Sequence, residues 1–116
     1  MAVFDQRGQH VIYQFNAAGD INFGAVQNRL EVIDQLEKLQ TEVNKATEQG
    51  ALDEEVAVDV EGKLKKAVIQ AKKPEPDKKT ILARLNEAKV LLEGVAAAGG
   101  MITALVQAAE AVQKFF

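Results

Sequence analysis

From Gly94 to Ala109 the chain carries no charged residue, and that run sits inside a longer stretch, Thr80 to Phe116, whose large apolar side chains recur mostly at three- and four-residue steps. Ile81, Leu82, Leu85, Val90, Leu91, Leu92, Val95, Met101, Ile102, Leu105, Val106 and Val112 make up the pattern. A helical face this apolar has to be covered, and the cover must come from the rest of the chain, from a partner or from a bilayer. The uncharged run is shorter than the roughly 20 apolar residues that a spanning helix needs. Gly94, Gly99 and Gly100 interrupt the stretch, so a kink or tight turn is expected near Ala98 to Gly100, leaving either three long helices or four shorter ones.

The cover is legible upstream. From Ala25 to Gln49, Val26, Leu30, Ile33, Leu36, Leu39 and Val43 fall at helical steps with charged residues between them, and Gly50 stands where a left-handed helix cap is preferred. A second helix begins near Leu52, with Asp53, Glu54 and Glu55 at the positive end of its dipole and Leu52, Val56, Val60, Leu64, Val68 and Ala71 as its buried edge. Pro74 and Pro76 separate it from the last stretch, for which Asp77 is a fitting N-cap. Joints this short favour antiparallel neighbours. The expected fold is mainly α: an antiparallel helical bundle over residues 25–116, in one domain with a distinct arm over residues 1–24.

That arm differs in kind. Val11, Tyr13 and Phe15 alternate on one side of Asn16-Ala17-Ala18-Gly19-Asp20, with Ile21 and Phe23 on the other, a pattern expected of a β-hairpin or β-arch turning at Gly19. Two strands alone are marginal in water, so the arms should dock on the helices or pair with another subunit. The candidate interface residues are therefore Val11, Tyr13, Phe15, Gly19, Ile21 and Phe23. Met101, Ile102, Leu105, Val106, Phe115 and Phe116 mark the last helix as a second candidate surface, for a partner or for a membrane.

Chemistry is harder to assemble. Ser and Cys are absent, Thr41, Thr47, Thr80 and Thr103 have no accompanying base motif, and His10 is the single His. Asp53, Glu54, Glu55, Asp59 and Glu61 scatter round a helix and form no oxygen-rich loop. No glycine pattern matches a phosphate loop. No catalytic, cofactor or metal site is expected, and the chain is read as a non-enzyme. Lys63, Lys65, Lys66, Lys72, Lys73, Lys78 and Lys79 are the strongest local charge bias. They lack the interleaved aromatic or Arg residues that nucleic acid would require, and the net charge of -3 offers no general attraction to it. Contact with anionic lipid is the functional alternative to a solvated face. The opening MAVFDQRGQH has no apolar core of a secretory signal, and with no cysteine a cytoplasmic setting is expected.

The segment Gln9 to Gly24, with V-x-Y-x-F, N-A-A-G-D-I-N and F-G, resembles the Gln/Asn/Gly-punctuated β-arch segments of bacterial amyloid-type signalling motifs, which are distantly similar to the RIP homotypic interaction motif. The V-Q-V-G type core of those motifs is replaced here by Ala25-Val26-Gln27-Asn28 after Gly24. The marginal hairpin and the apolar helix seam predict a homo-oligomer whose N-terminal segments contact another subunit or a protein partner, and the resemblance implies a small bacterial protein of an effector or conflict system. The rival reading is a membrane-acting protein whose Ala/Gly-rich last helix leaves the bundle.

Overall fold

Each joint after residue 20 carries its own stop and start chemistry, and together they cut the described residues into four helices. A computed structural model describes residues 21–116. Helices α1 (Arg29–Glu48), α2 (Glu54–Ala71), α3 (Lys78–Leu92) and α4 (Gly99–Phe115) follow one another, with 3₁₀ turns at Phe23–Ala25 and Ala96–Ala98. The first arm of the expected hairpin, with Val11, Tyr13, Phe15 and Gly19, lies outside the described residues. Its second arm is a correction: Ile21 and Phe23 belong to no strand, and Phe23 opens a 3₁₀ turn buried against α4. With helix surface available, burying the phenyl ring stabilises by roughly 1.5–3 kcal/mol, more than a two-stranded pairing supplies.

Helix α1 starts four residues later than its apolar spacing predicts. Asn28 is extended and accepts the Glu31 amide at 2.9 Å, while the Glu31 carboxylate reaches back to the Gln27 amide at 2.8 Å. This is a capping box shifted by one residue, and it satisfies two amides the helix itself leaves open. Leu30 accordingly sits in the first turn at 78% exposure, about 120° round the helix from Leu36, and Val32 takes its expected place in the core. At the other end Gly50, at φ 80°, closes α1 through bonds from its own amide to the Thr47 carbonyl and from the Ala51 amide to the Ala46 carbonyl.

Asp53 caps α2 and Asp77 caps α3. The Asp77 carboxylate accepts from the Lys79 amide, the Thr80 amide and the Thr80 hydroxyl, and these bonds, the Thr80 hydroxyl first, hold its pKa below the usual carboxylate value. The break in the last stretch falls earlier than expected. Glu93 ends α3, Val95 is extended, and Gly99 and Gly100 form the first turn of α4 rather than the gap. A β-branched residue after Gly94 is poorly placed to continue a helix, whereas glycine costs little in a first turn whose amides lack intrahelical acceptors anyway.

Successive helices pack side by side and α1 closes the ring on α4, giving an up-down-up-down four-helix bundle. The short joints set the directions, and cross-links between helices agree with them. Arg29 at the start of α1 donates from Nε to the Phe115 carbonyl at 2.8 Å, at the end of α4. Lys72, just past α2, pairs with Glu37 of α1 at 2.8 Å, and Lys63 of α2 pairs with Glu87 of α3 at 3.3 Å. Leu36, Leu39, Leu64, Ile81, Leu85, Leu92, Met101 and Leu105 are fully or almost fully buried at the centre. Ala104, Ala108 and Ala111 line the inner face of α4, and their small size lets neighbouring helices approach closely.

Candidate interaction surface

The chain enters the bundle at a corner built from three places in the sequence. Ile21, Phe23 and Val26 are buried there, and the Asn22 amide donates to Oε1 of Gln35 at 2.8 Å, which fixes the entering strand of backbone to α1. The Phe23–Ala25 turn packs on α4. Beside it opens a groove of about 250 Å³ between Phe23, Gly24 and Val26 on one side and Gln107, Glu110, Ala111, Lys114 and Phe115 on the other.

The end of α4 is secured from α1. Besides its bond to the Phe115 carbonyl, the Arg29 guanidinium lies 5.1 Å from the centre of the Phe116 ring, a cation–π distance, and Lys114 stands 5.4 Å from the Phe115 ring. A cation at a helix C-terminus also meets the negative end of the dipole. Apolar spacing singles out Phe115 and Phe116. Arg29 escapes it, and its signal is only an Arg immediately after the N-cap, which has no meaning until the far end of the chain is brought beside it.

The second candidate surface divides across α4. Met101 and Leu105 are buried and Ile102 is half-buried, so these three serve the core, while Val106 is 42% exposed. Val90, also expected on the covered face, is 54% exposed. Between α3 and α4 runs a second groove of about 290 Å³, with Leu82, Leu85, Leu105 and Val106 as its apolar lining and Lys89 and Glu110 among its polar residues. Glu110 borders both grooves, so the corner and the α3–α4 groove flank the same stretch of α4. No helix among the described residues is long and apolar enough to cross a membrane.

Charged groups on the bundle pair with one another across and along the helices. Arg84 Nη1 donates to both Glu87 oxygens at 3.0 and 3.2 Å, and Lys63 reaches the same carboxylate. The Arg84 hydrogen bond first, and that of Lys63 second, draw the Glu87 pKa below the usual carboxylate value. Glu42, within α1, is buried and pairs with Lys45 one turn further along the same helix at 3.4 Å. Among the described residues no group of three His, Cys, Asp or Glu side chains is placed to hold a metal ion.

No family model matches this chain, and neither a curated protein nor a solved structure is found to be similar to it.

Proposed function

We propose that this chain is a non-enzymatic assembly module, in which the helical bundle is a scaffold that presents its N-terminal segment for pairing with another copy or with a protein partner. The observation that carries this reading is the buried anchor at Ile21, Phe23 and Val26, locked to α1 through Asn22 and Gln35 and packed on α4. An anchor of that kind fixes where the preceding residues leave the scaffold, beside the groove at the end of α4. A recognition segment joined to a rigid body loses less entropy on pairing than one on a free tail. The resemblance to bacterial amyloid-type β-arch segments, less the second arm at Ile21 and Phe23 that the bundle has taken up, supports pairing of the residues before the anchor as the mode and a cytoplasmic effector or conflict system as the setting.

Removing residues 2–20 tests the proposal while sparing the anchor. Sedimentation velocity should then show a smaller assembly than the full chain forms, at unchanged helical circular dichroism. An assembly of the same size after that deletion refutes the role given to the segment. Removal through Phe23 is a different experiment, because it also takes two core side chains.

A further inference from the structure

Helix α2 carries its charge in two blocks. Asp53, Glu54, Glu55, Asp59 and Glu61 occupy the cap and first half, and Lys63, Lys65, Lys66, Lys72 and Lys73 occupy the second half and the cap beyond, with Gly62 at the change of sign. The outward side of the same helix bears two of the most exposed large apolar residues, Val58 at 69% and Ile69 at 51%. Glu55, Val58, Gly62, Lys65, Ile69 and Lys72 are all exposed and follow one another at steps of three, four, three, four and three. That is the spacing of a helix–helix seam, on the face opposite Ala57, Val60, Leu64 and Ala67, which fill the core.

We infer that this outer face of α2 is an interface for a second copy of the chain, with the two α2 helices antiparallel about a twofold axis passing between Lys63 and Leu64. In that register the seam is complementary to itself. Glu55 meets Lys72, which within the chain already pairs with Glu37 and would bridge both carboxylates, Val58 meets Ile69 and Gly62 meets Lys65, each contact occurring twice, while Glu54 faces Lys73 and Glu61 faces Lys66. A twofold interface requires the same patch to serve as both partners, and a charge-segregated helix meets that condition only when reversed. Parallel pairing sets carboxylate against carboxylate and ammonium against ammonium. At Gly62 an added Cβ would meet nothing within 4 Å among the described residues, which leaves room for close approach of a neighbouring helix.

The competing explanation is that acidic residues early and basic residues late complement the dipole of α2. That effect fades beyond the first and last turns. It accounts for Glu54 and Glu55 but not for Lys65 and Lys66 in mid-helix, nor for Val58 and Ile69 in water. Glu54, Glu55, Asp59, Lys65, Lys66 and Lys73 form no ion pair among the described residues.

This interface deepens the assembly reading and rests on it only in taking a second copy as the partner; the N-terminal segment has no part in it. Two charge variants of the full chain test it by sedimentation velocity, Glu54→Lys/Glu61→Lys and Lys66→Glu/Lys73→Glu. Each alone should lose roughly tenfold or more in self-association, because 54 and 73, and 61 and 66, then carry like charge, and an equimolar mixture should recover it as a heterodimer in which each of those facing pairs is again opposite in charge. Wild-type association should also weaken between about 0.01 M and 1 M salt, as the screening length falls from about 30 Å to about 3 Å. Val58→Asn/Ile69→Asn removes the apolar layer at positions that do not serve the fold, so its melting temperature should hold while dimerisation is lost. Wild-type behaviour of either charge variant, or no recovery on mixing folded variants, overturns the interface. If deletion of residues 2–20 abolishes assembly and the charge variants do not, only the α2 interface falls; the opposite pattern removes only the role of the N-terminal segment. A wild-type chain that sediments as a monomer at every concentration overturns both.

Discussion

Leu105 and Val106 are neighbours in sequence with opposite duties, and the contrast sets the energy scale of the last helix. Leu105 is 2% exposed and packed in the bundle centre, whereas Val106 borders the α3–α4 groove. A carboxylate at 105 would have neither water nor a partner, so Leu105→Asp should destabilise the fold by roughly 3 kcal/mol or more, read as a fall in denaturation midpoint. Val106→Asp should stay within about 0.5 kcal/mol. Equal effects at the two positions would mean that α4 is rotated from the orientation described. Asp77 supplies a second test at this scale. Its pKa is lowered in the folded chain, so its stabilising contribution is complete above the ordinary value of 3.8 and is lost as pH falls through the folded value. Asp77→Ala should therefore melt a few degrees below wild type at neutral pH, and the two melting curves should converge as the pH falls through the lowered folded value. A gap that persists unchanged in acid would show that the side chain acts through something other than its charge.

At the scale of the helix and its joints, glycine has opposite meanings in two places. Gly50 holds φ at 80° with open space around it, so Gly50→Ala meets no clash but places a side chain in the left-handed region, at a cost of about 1 to 2 kcal/mol. Gly62 lies inside α2 with equally open space, and Gly62→Ala should stabilise the monomer by about 0.5 to 1 kcal/mol. Chemical denaturation of both variants checks the signs. These joints also show how far the fold could be read from residues alone. Gly50 as a cap, Asp53 and Asp77 as N-termini and the Pro74–Pro76 break were legible, because each acts through its immediate neighbours. The start of α1 was misplaced although Asn28 and Glu31 carry the signal for it, since the apolar spacing of Val26 and Leu30 pointed the other way. Spacing could not say that Leu30, Val90 and Val106 would face out, because a stripe two residues wide has more than one way to be buried. Of the candidate surface, Phe115 and Phe116 were legible as apolar, but Arg29 was not, since its partner is distant in sequence. Phe23 was assigned to a strand because alternation over three residues does not distinguish a β-arm from a turn docked on a helix.

Across the whole molecule the seams are unequal. The α2–α3 pair is the most extensively packed and is bridged by the Lys63, Arg84 and Glu87 cluster, whereas α1 and α4 meet over the sparsest contact of the ring. That weak seam is where the residues before α1 have been drafted in. Ile21, Phe23 and Val26 fill the corner from one side, and Arg29 ties the end of α4 from the other. The bundle therefore depends on its entry segment for closure, and a loss there should spread unevenly. Phe23→Ala removes a side chain that is 3% exposed and should cost about 3 to 5 kcal/mol, a large fraction of the roughly 5 to 15 kcal/mol that holds a domain folded. Local opening should precede global unfolding, because regions with few buried contacts open at lower free energy. Native-state amide exchange in the variant should accordingly accelerate first near the start of α1 and the last turns of α4, with α2 and α3 protected longer. Arg29→Ala should produce the same regional pattern with smaller amplitude, since it removes one charge-assisted hydrogen bond and a cation–π contact rather than core volume. Uniform acceleration through all four helices would show that the α1–α4 seam is no weaker than the others, and with it would go the view that the entry segment closes the bundle.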